Sequence, residues 1–259
     1  MSNILKRAAS ENRTLPEPRI LANSIPKAGT NLLLELFKNI EGLKNVNRGV
    51  DFLMSFEEII AALSQLRKGE YLYGHLFYDQ RISAFLEQCS ISHVLIVRDP
   101  RDVAVSLAFY VPGQPSNRFY KFFKDLNSVR ERIIYAIRGV PENLVKGQPG
   151  LGNMAERYRR CTPWLQDERC LVVRFEDLVG ARGGGDDDRQ FATTCRITRH
   201  VGIKLTENQL HRIANSMFNE VSPTFRKGEI GSWRDWLDAE MLSMLSRDKA
   251  IYREFGYEL

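Results

Sequence analysis

The first segment whose residue types could do chemistry is Ser24-Ile-Pro-Lys-Ala-Gly-Thr-Asn31. It places a lysine, a glycine and short polar side chains between an apolar run and the start of a helical pattern. Unpaired backbone N–H groups and the helix dipole attract anions at such a helix start. The segment therefore predicts a cradle for a phosphate or sulfate group, with a plain helix-capping turn as the alternative. A Walker A loop is disfavoured because Lys27 precedes Gly29, whereas that motif has its lysine after the last glycine.

The second segment is Val97-Arg-Asp-Pro-Arg-Asp-Val-Ala-Val-Ser106, which continues the apolar run 93–97. That run does not alternate, as expected of a strand covered on both faces, so Arg98 is predicted at the carboxyl end of a central parallel strand. Ligands bind at that edge in open α/β sheets. A guanidinium suits a phosphate dianion, and the hydroxyl of Ser106 can add a donor. The alternative is an Arg98–Asp102 ion pair that only stabilises the helix start.

The third segment is Ser216-Met-Phe-Asn-Glu-Val-Ser-Pro-Thr-Phe-Arg-Lys-Gly-Glu-Ile-Gly-Ser-Trp233. Within it, Arg226, Lys227 and Gly228 join two cations to a flexible backbone, after an aromatic ring at Phe218. Such a loop can fold over an anion and a purine. Taken alone, it is also a common kind of basic surface loop.

The chain has four histidines, of which His75 follows the strand-like residues Tyr71-Leu-Tyr-Gly. An imidazole with a pKa of about 6.5 can accept the proton of a hydroxyl group at neutral pH. His93, His200 and His211 lie at a strand start or in helices, far in sequence from any anion-binding segment, and are predicted to be structural. A lone histidine is more often structural than catalytic, so spacing alone does not decide the role of His75.

In their order and separation these segments resemble the sulfotransferases that use 3'-phosphoadenosine 5'-phosphosulfate (PAPS), over roughly residues 20–236. Residues 26–30 look like the P-K-[SA]-G-T loop of that family, and residues 98–106 look like its R-[ND]-P-x-D-x-x-x-S site. Residues 226–233 resemble its R-K-G-x-x-G-x-W closing loop, and His75 stands where the family has the histidine of its K-T-H-L segment. The compact size and the R-D-P-R-D segment are similar to soluble bacterial members that act on small molecules.

The resemblance implies a role for each matching residue. The 5'-phosphosulfate would be held by Lys27, Ala28, Gly29, Thr30 and Asn31. The 3'-phosphate would be held by Arg98 and Ser106, and further nucleotide contacts would come from Ser216, Phe218, Arg226, Lys227 and Gly228. The catalytic residues would be His75, as the base, and Lys27, which would neutralise charge on the leaving phosphate oxygen. The scheme requires no metal ion, and no cluster of metal-ligating residues occurs in the sequence.

The chain also departs from the family pattern at three positions. Leu32 stands where an aromatic residue commonly follows the first loop. Phe175, in Phe-Glu-Asp-Leu178, replaces the tyrosine of the usual Y-E-D-L segment, which bears on the contacts to adenine. Tyr73 occupies the place of a frequent lysine two residues before the catalytic histidine.

The elements that must position these segments alternate between strands and helices. Strands are predicted at 19–24, 71–75, 93–97 and 170–175, and helices at 31–41, 55–67, 79–88, 101–109, 119–138, 153–166, 189–202, 206–217 and 238–254. This alternation predicts a single α/β domain with a central parallel sheet flanked by helices. The resemblance implies the P-loop-kinase-like sulfotransferase fold. We expect an N-terminal extension at 1–18, the domain at 19–259, a flexible loop at 180–188 and a substrate lid at 110–153.

Composition excludes several classes of protein. With 259 residues, 43% hydrophobic and 27% charged, the chain is an ordinary globular protein, and its apolar runs are far shorter than a membrane span requires. The N-terminus lacks an apolar signal region, so a cytoplasmic location is expected. Four cysteines without a C-x-x-C pair argue against disulfides and zinc. The net charge of +5 permits an anionic partner, but no motif supports a nucleic acid.

The resemblance implies transfer of a sulfuryl group from PAPS to a hydroxyl or amine of a small molecule, with release of the desulfated product, PAP. The acceptor class includes secondary metabolites, and residues 42–56 and 109–153 are expected to line its pocket. Aromatic residues in those stretches could form an apolar site or belong to the core: Phe52, Phe56, Phe109, Tyr110, Phe119 and Tyr120. The alternatives are a nucleotide kinase or NTPase-like phosphotransferase, and a catalytically silent sensor that binds PAP. The acceptor, O- against N-sulfation and the oligomeric state remain open.

Overall fold

A five-stranded parallel sheet forms the centre of the protein in a computed structural model that describes residues 18–145, 150–218 and 228–259. The strands are β1 (Arg19–Ser24), β2 (Lys44–Asp51), β3 (Glu70–His75), β4 (Ile91–Val97) and β5 (Cys170–Arg174). Their order across the sheet is β2-β3-β1-β4-β5. β1 is central and pairs in parallel with β3 and β4.

Helices cover both faces of the sheet. They are α1 (Thr30–Lys38), α2 (Phe56–Ser64), α3 (Gln80–Gln88), α4 (Pro100–Tyr110), α5 (Tyr120–Lys124), α6 (Val129–Arg138), α7 (Met154–Arg159), α8 (Phe175–Leu178), α9 (Asp187–His200), α10 (Glu207–Ser216), α11 (Ala239–Ser246) and α12 (Lys249–Glu254). Alternate residues of a strand point to opposite faces. Ile20 and Ala22 therefore join a core with α1, α9 and α10, whereas Leu21 joins the core on the other face. The predicted single α/β domain with a parallel sheet is confirmed.

Side-chain caps account for several helix starts. Ser55 forms a capping box with Glu58 at the start of α2, and the Asp79 carboxylate accepts from the Arg81 N–H at the start of α3. Asp99 caps α4, whose first residue is Pro100. These caps satisfy N–H groups that have no partner within the helix.

Several parts of the chain differ from the predicted elements. The helix expected at 153–166 is α7 followed by a 3-10 helix, Thr162–Gln166, and the helix expected at 238–254 is divided into α11 and α12. Strand β2 was not predicted, because its sequence is mostly polar. In the structure Asn47 has a positive φ of 51°, and the register of β2 with β3 shifts between Asn45 and Gly49. The helix expected at 119–138 is divided into α5 and α6, and Ser128 caps the second of these. The loop expected at 180–188 contains a short 3-10 helix, Ala181–Gly183, followed by the start of α9.

The carboxyl ends of the strands carry the candidate site. Asn23, fully buried near the end of β1, joins that strand to the residue after β3. Its Nδ2 donates to the carbonyl of Leu76 at 3.0 Å, and its Oδ1 accepts from the Leu76 N–H at 2.8 Å. This pair of bonds holds Ser24 and His75 beside each other. Among the described residues, no helix combines the length and apolar character needed to cross a membrane.

Candidate active site

A cavity of about 690 Å³ lies at the carboxyl ends of the central strands. It brings together residues from all three sequence segments and from β3. The predicted site residues that line it are Lys27, Gly29, Thr30, Asn31, His75, Arg98, Ser106, Phe218 and Gly228.

The anion cradle is the turn between β1 and α1. Lys27 and Gly29 both have positive φ, 72° and 116°. A Cβ on Gly29 would lie 2.8 Å from the ring of Phe175, so this position needs glycine for space as well as for conformation. No described side chain caps α1, and its first turn has no acidic residue. The N–H groups of that turn are therefore suited to an anion.

Two residues of the cradle have other partners inside the protein. The ammonium of Lys27 lies 3.4 Å from the centroid of the Tyr110 ring, which holds the cation at the cavity wall. Ala28 is fully buried and does not line the cavity. Its N–H donates to the carbonyl of Ile25 at 2.9 Å, so Ala28 shapes the turn.

His75 ends β3 and is oriented through one ring nitrogen. Its Nδ1 lies 3.0 Å from the hydroxyl of Ser24 and 3.1 Å from the carbonyl oxygen of Ser24. A carbonyl can only accept a hydrogen bond, so Nδ1 carries the proton and Nε2 keeps its lone pair in the neutral ring. Burial lowers the pKa of His75 below its usual 6.5, while Ser24 and the charge of Asp51 raise it and Lys27 lowers it. The imidazole is therefore neutral at pH 7 and can act as a base.

The hydroxyl of Ser24 connects the base to the cradle. It lies 2.6 Å from the hydroxyl of Thr30, the first residue of α1, and also contacts Nδ1 of His75. A hydrogen-bonded chain thus runs from Thr30 through Ser24 to His75. It fixes the imidazole relative to the positive end of α1.

Arg98, 7% exposed, follows β4 and is held against Phe175, with its guanidinium 4.1 Å from the ring centroid. Its Nη2 donates to the carbonyl of Glu229 at 2.7 Å and lies 3.7 Å from Asp102. The alternative ion pair is thus present as well. The Nε of Arg98 is buried and has no hydrogen-bond partner among the described residues. This donor, together with the nearby hydroxyl of Ser106, suits a phosphate.

Asp102 positions the C-terminal side of the site, a role that the sequence did not indicate. It is fully buried, and its carboxylate accepts from the N–H groups of Gly231 and Trp233, at 2.8 and 3.0 Å, and from the hydroxyl of Ser232 at 3.1 Å. Because Asp102 also lies beside Arg98, it joins α4 to the last residues of the third sequence segment. The motif had suggested only a helix-start partner for Arg98.

The third segment is only partly within the described residues. Phe218 and Gly228 line the cavity, and the guanidinium of Arg182 lies 4.8 Å from the Phe218 ring centroid. Ser216 is exposed, and its hydroxyl donates to the carbonyl of Ile213, so the structure does not bring it to the cavity. Arg226 and Lys227 lie outside the described residues.

The rest of the cavity wall is largely aromatic and apolar. Phe52, Tyr110 and Phe119 line it, whereas Phe109 packs on Trp236 and Phe56 lies under Arg81. Tyr120 does not line the cavity.

The wall also includes three charged residues that the sequence did not single out: Glu35, Asp51 and Arg118. Asp51 and Arg118 lie within the stretches 42–56 and 109–153 that were expected to line the pocket. Beyond their charge, nothing in the sequence marked these individual residues.

The other histidines lie away from the cavity. His93 is buried with its ring 4.4 Å from that of Trp164, and burial lowers its pKa to about 3. His200 contacts the carbonyl of His93, and His211 stacks on Phe191 at 4.2 Å. Their surroundings agree with structural roles.

Comparisons with known proteins place this architecture in a family. The family model described as "Sulfotransferase domain" matches residues 17–250. No curated protein matches the chain. Similar solved structures include mouse sulfotransferase SULT7A1 complexed with PAP, with a TM-score of 0.65 and 18% identity over 94% of this chain and 86% of that one.

A second similar structure is retinol dehydratase in complex with androsterone and inactive cofactor PAP. Its TM-score is 0.55 and its identity 16%, over 92% of this chain and 80% of that one. At these identities both likenesses concern the fold. The family model covers most of the chain, and the protein therefore belongs to the sulfotransferase family, the enzyme class that its three sequence segments predicted.

Proposed function

We propose that the protein transfers a sulfuryl group from PAPS to a hydroxyl or amine of a small molecule and releases PAP. The observation that carries this proposal is the pairing, in one cavity, of the cradle at the start of α1 with His75, whose Nδ1 is held by Ser24. The chain from Thr30 through Ser24 to His75 links the two. An anion-binding site beside a neutral base is what sulfuryl transfer to a hydroxyl requires.

The described residues fit the donor. Gly29 leaves room where a Cβ would meet Phe175, and no described side chain caps the first turn of α1, whose N–H groups would hold the 5'-phosphosulfate. The buried Nε of Arg98 and the hydroxyl of Ser106 would hold the 3'-phosphate. Phe218 would contact the nucleotide, together with Arg226, Lys227 and Gly228. That the similar mouse sulfotransferase was solved with PAP supports this assignment.

When bound, PAPS supplies a sulfuryl group whose sulfur is joined to an oxygen of the 5'-phosphate. Nε2 of His75 accepts the proton of the acceptor hydroxyl as the acceptor oxygen bonds to sulfur. The bond from sulfur to the phosphate oxygen breaks, and its electron pair stays on PAP. Lys27 and the N–H groups of α1 neutralise the charge that develops on that oxygen. Asp51, whose charge raises the pKa of His75, stabilises the imidazolium once the proton has moved.

For the acceptor we propose a small molecule with an apolar or aromatic part, bound against Phe52, Tyr110 and Phe119. Arg118, Phe119 and Leu151 belong to the 110–153 region and line the cavity, which supports a lid role for that region. We further propose that the enzyme works in the cytoplasm on small metabolites. The four cysteines are free thiols, which suits a reducing compartment.

The two alternative functions, a kinase and a sensor of PAP, require different residues in the site. A kinase would need its cation after the glycines of the loop, whereas Lys27 precedes Gly29 and lies over Tyr110. A sensor of PAP would need Arg98 but no base. The oriented Nε2 of His75 therefore favours an enzyme over a sensor.

Calorimetric titration of the protein with PAP and with ATP tests the donor assignment. We expect PAP to bind at least about 30-fold more tightly than ATP, because only PAP has a phosphate at the 3' position for Arg98. Adenosine 5'-phosphate, which also lacks the 3'-phosphate, should bind as weakly as ATP. Tighter binding of ATP than of PAP would instead support the kinase.

A further inference from the structure

Arg118 is a cation in the wall of the acceptor part of the cavity, and its role is not explained by the donor. Its guanidinium lies 4.3 Å from the ring centroid of Phe119 and 5.8 Å from that of Phe52. Nη2 donates to the carbonyl of Gly150 at 3.3 Å. The stacking and this bond hold the guanidinium plane in place.

The other terminal nitrogen, Nη1, is buried and has no hydrogen-bond partner within the described ranges. A buried N–H donor without an acceptor is costly, and more so when the group is charged. Burial lowers the pKa of Arg118, while the charge of Asp51 raises it, yet no ion pair joins Arg118 to Asp51 or to another described carboxylate. Within the part of the chain that the structure describes, Arg118 therefore has a fixed donor without an acceptor.

The position of Arg118 separates it from the donor site. The cradle and Arg98 follow β1 and β4, whereas Arg118 lies against Phe52, which follows β2, and beside Leu151 of the lid region. It shares one cavity with Nε2 of His75. A molecule that presents a hydroxyl to His75 and packs its apolar part on Phe52 and Phe119 would lie beside the rings that Arg118 contacts.

We propose that Arg118 binds an oxyanion of the acceptor, a carboxylate in the simplest case, so that the acceptor is an acidic hydroxy compound. This inference rests on the proposed function, because it assumes that the acceptor occupies this part of the cavity. Arginine suits the task, since its planar donors match a carboxylate. Asp51 lines the same cavity and its charge raises the pKa of Arg118, but no ion pair joins the two side chains, and Oδ1 of Asp51 accepts from the Leu53 N–H at 2.9 Å.

The test compares similar 4-substituted phenols whose side chains carry a negative, no or a positive charge: 3-(4-hydroxyphenyl)propanoic acid, its methyl ester and tyramine. Two shorter probes, 4-hydroxybenzoic acid and its methyl ester, vary the distance from hydroxyl to carboxylate. Binding to the PAP-loaded protein is measured by calorimetry, and turnover with labelled PAPS. The variants are Arg118→Gln and, as the matched control, Arg160→Gln. Arg160 also stacks on a phenyl ring, that of Phe77 at 4.0 Å, but it is exposed and outside the cavity wall.

We expect one acid to bind about tenfold or more tightly than its ester, and tyramine to bind most weakly. Arg118→Gln should remove this preference while it leaves the affinities for the ester and for PAP within about threefold. Arg160→Gln should leave both the preference and the affinities unchanged. An unaltered PAP affinity also shows that the Arg118→Gln protein is folded.

The inference is overturned if the esters bind as tightly as the acids, if Arg118→Gln leaves the preference intact, or if no acid binds. Failure of the proposed function looks different. In that case an acid binds through Arg118 but no member of the panel receives a sulfuryl group from PAPS.

Discussion

The chemistry of His75 follows from where its two ring nitrogens lie. Nδ1 is held by the hydroxyl and the carbonyl of Ser24, and Nε2 is left for the cavity. Burial keeps the imidazole neutral by lowering its pKa. The imidazole of His75 is therefore oriented and neutral, as a base must be, before a substrate binds.

The pH dependence of kcat/KM tests whether His75 acts as a neutral base. The base must be deprotonated, and the pKa of His75 lies below 6.5. With an alcohol as acceptor, kcat/KM should therefore rise with pH only below 6.5 and stay level from about pH 7 upward. Asp51→Asn removes a charge that raises this pKa, so the inflection should move to lower pH.

His211→Gln is the control for this profile, because His211 stacks on Phe191 away from the cavity. It should leave the profile unchanged. A rise centred above pH 7, or an inflection that does not respond to Asp51→Asn, would contradict the assignment of the base.

Arg98 supports a second prediction at this scale. Arg98→Ala should weaken binding of PAP by roughly 1.5–3 kcal/mol, because a charge-assisted bond to the 3'-phosphate is lost. Binding of adenosine 5'-phosphosulfate, which lacks that phosphate, should change little. Calorimetric titration with both ligands gives the comparison. Equal losses for the two ligands would place Arg98 outside the 3'-phosphate site.

Among the structural elements, the turn between β1 and α1 has a closely constrained backbone. Gly29 has a φ of 116° and touches Phe175 closely, and Lys27 also has a positive φ. The backbone is bent here so that the positive end of α1 faces the cavity. The residue types of the turn made the cradle predictable from the sequence. The close approach to Phe175 could not be predicted, because Phe175 begins α8, which follows the distant strand β5.

Gly29→Ala should therefore disturb both the fold and the donor site. We expect a loss of about 1–3 kcal/mol in the free energy of unfolding, from the strained φ and the contact with Phe175, together with weaker PAP binding. Urea unfolding and calorimetry measure the two effects. Gly113→Ala is the matched control, since a Cβ there meets nothing within 4 Å and φ is not positive. A Gly29→Ala protein as stable as Gly113→Ala, with full PAP affinity, would show that the turn is not constrained.

Many of the strands and helices could be predicted, because their apolar runs and capping residues are visible in the sequence and match what the fold buries. β4 is an apolar run, and the capping residues Ser55, Asp79 and Asp99 mark helix starts in the sequence. β2 could not be predicted, since its stability comes from pairing with β3 and not from its own polar residues. The residues at its end, Asp51 and Phe52, were therefore seen only as part of a pocket-lining stretch.

At the scale of the whole molecule, the strand order assembles the site. β1 lies between β3 and β4, so the cradle, His75 and Arg98 meet at one edge although they span more than 70 residues. The family resemblance predicted that meeting, whereas the partners of Arg98, the role of Asp102 and the placement of Arg118 depend on the tertiary structure. The catalytic and ligand-binding roles assigned to the site residues stay predictions, those of Arg226, Lys227 and Ser216 included.

Sulfuryl transfer with His75 as the base is tested by transfer of label from PAPS to a pool of hydroxylated small molecules. The unaltered protein and His75→Ala are compared, and PAP affinity is measured in parallel. We expect transfer by the unaltered protein and a loss of about 10²–10⁴ in rate for His75→Ala, with nearly intact PAP affinity. Lys27→Ala should reduce both, because its charge meets the donor before and during transfer. PAP binding without any transfer, or a His75→Ala protein that works at close to the original rate, would contradict the account.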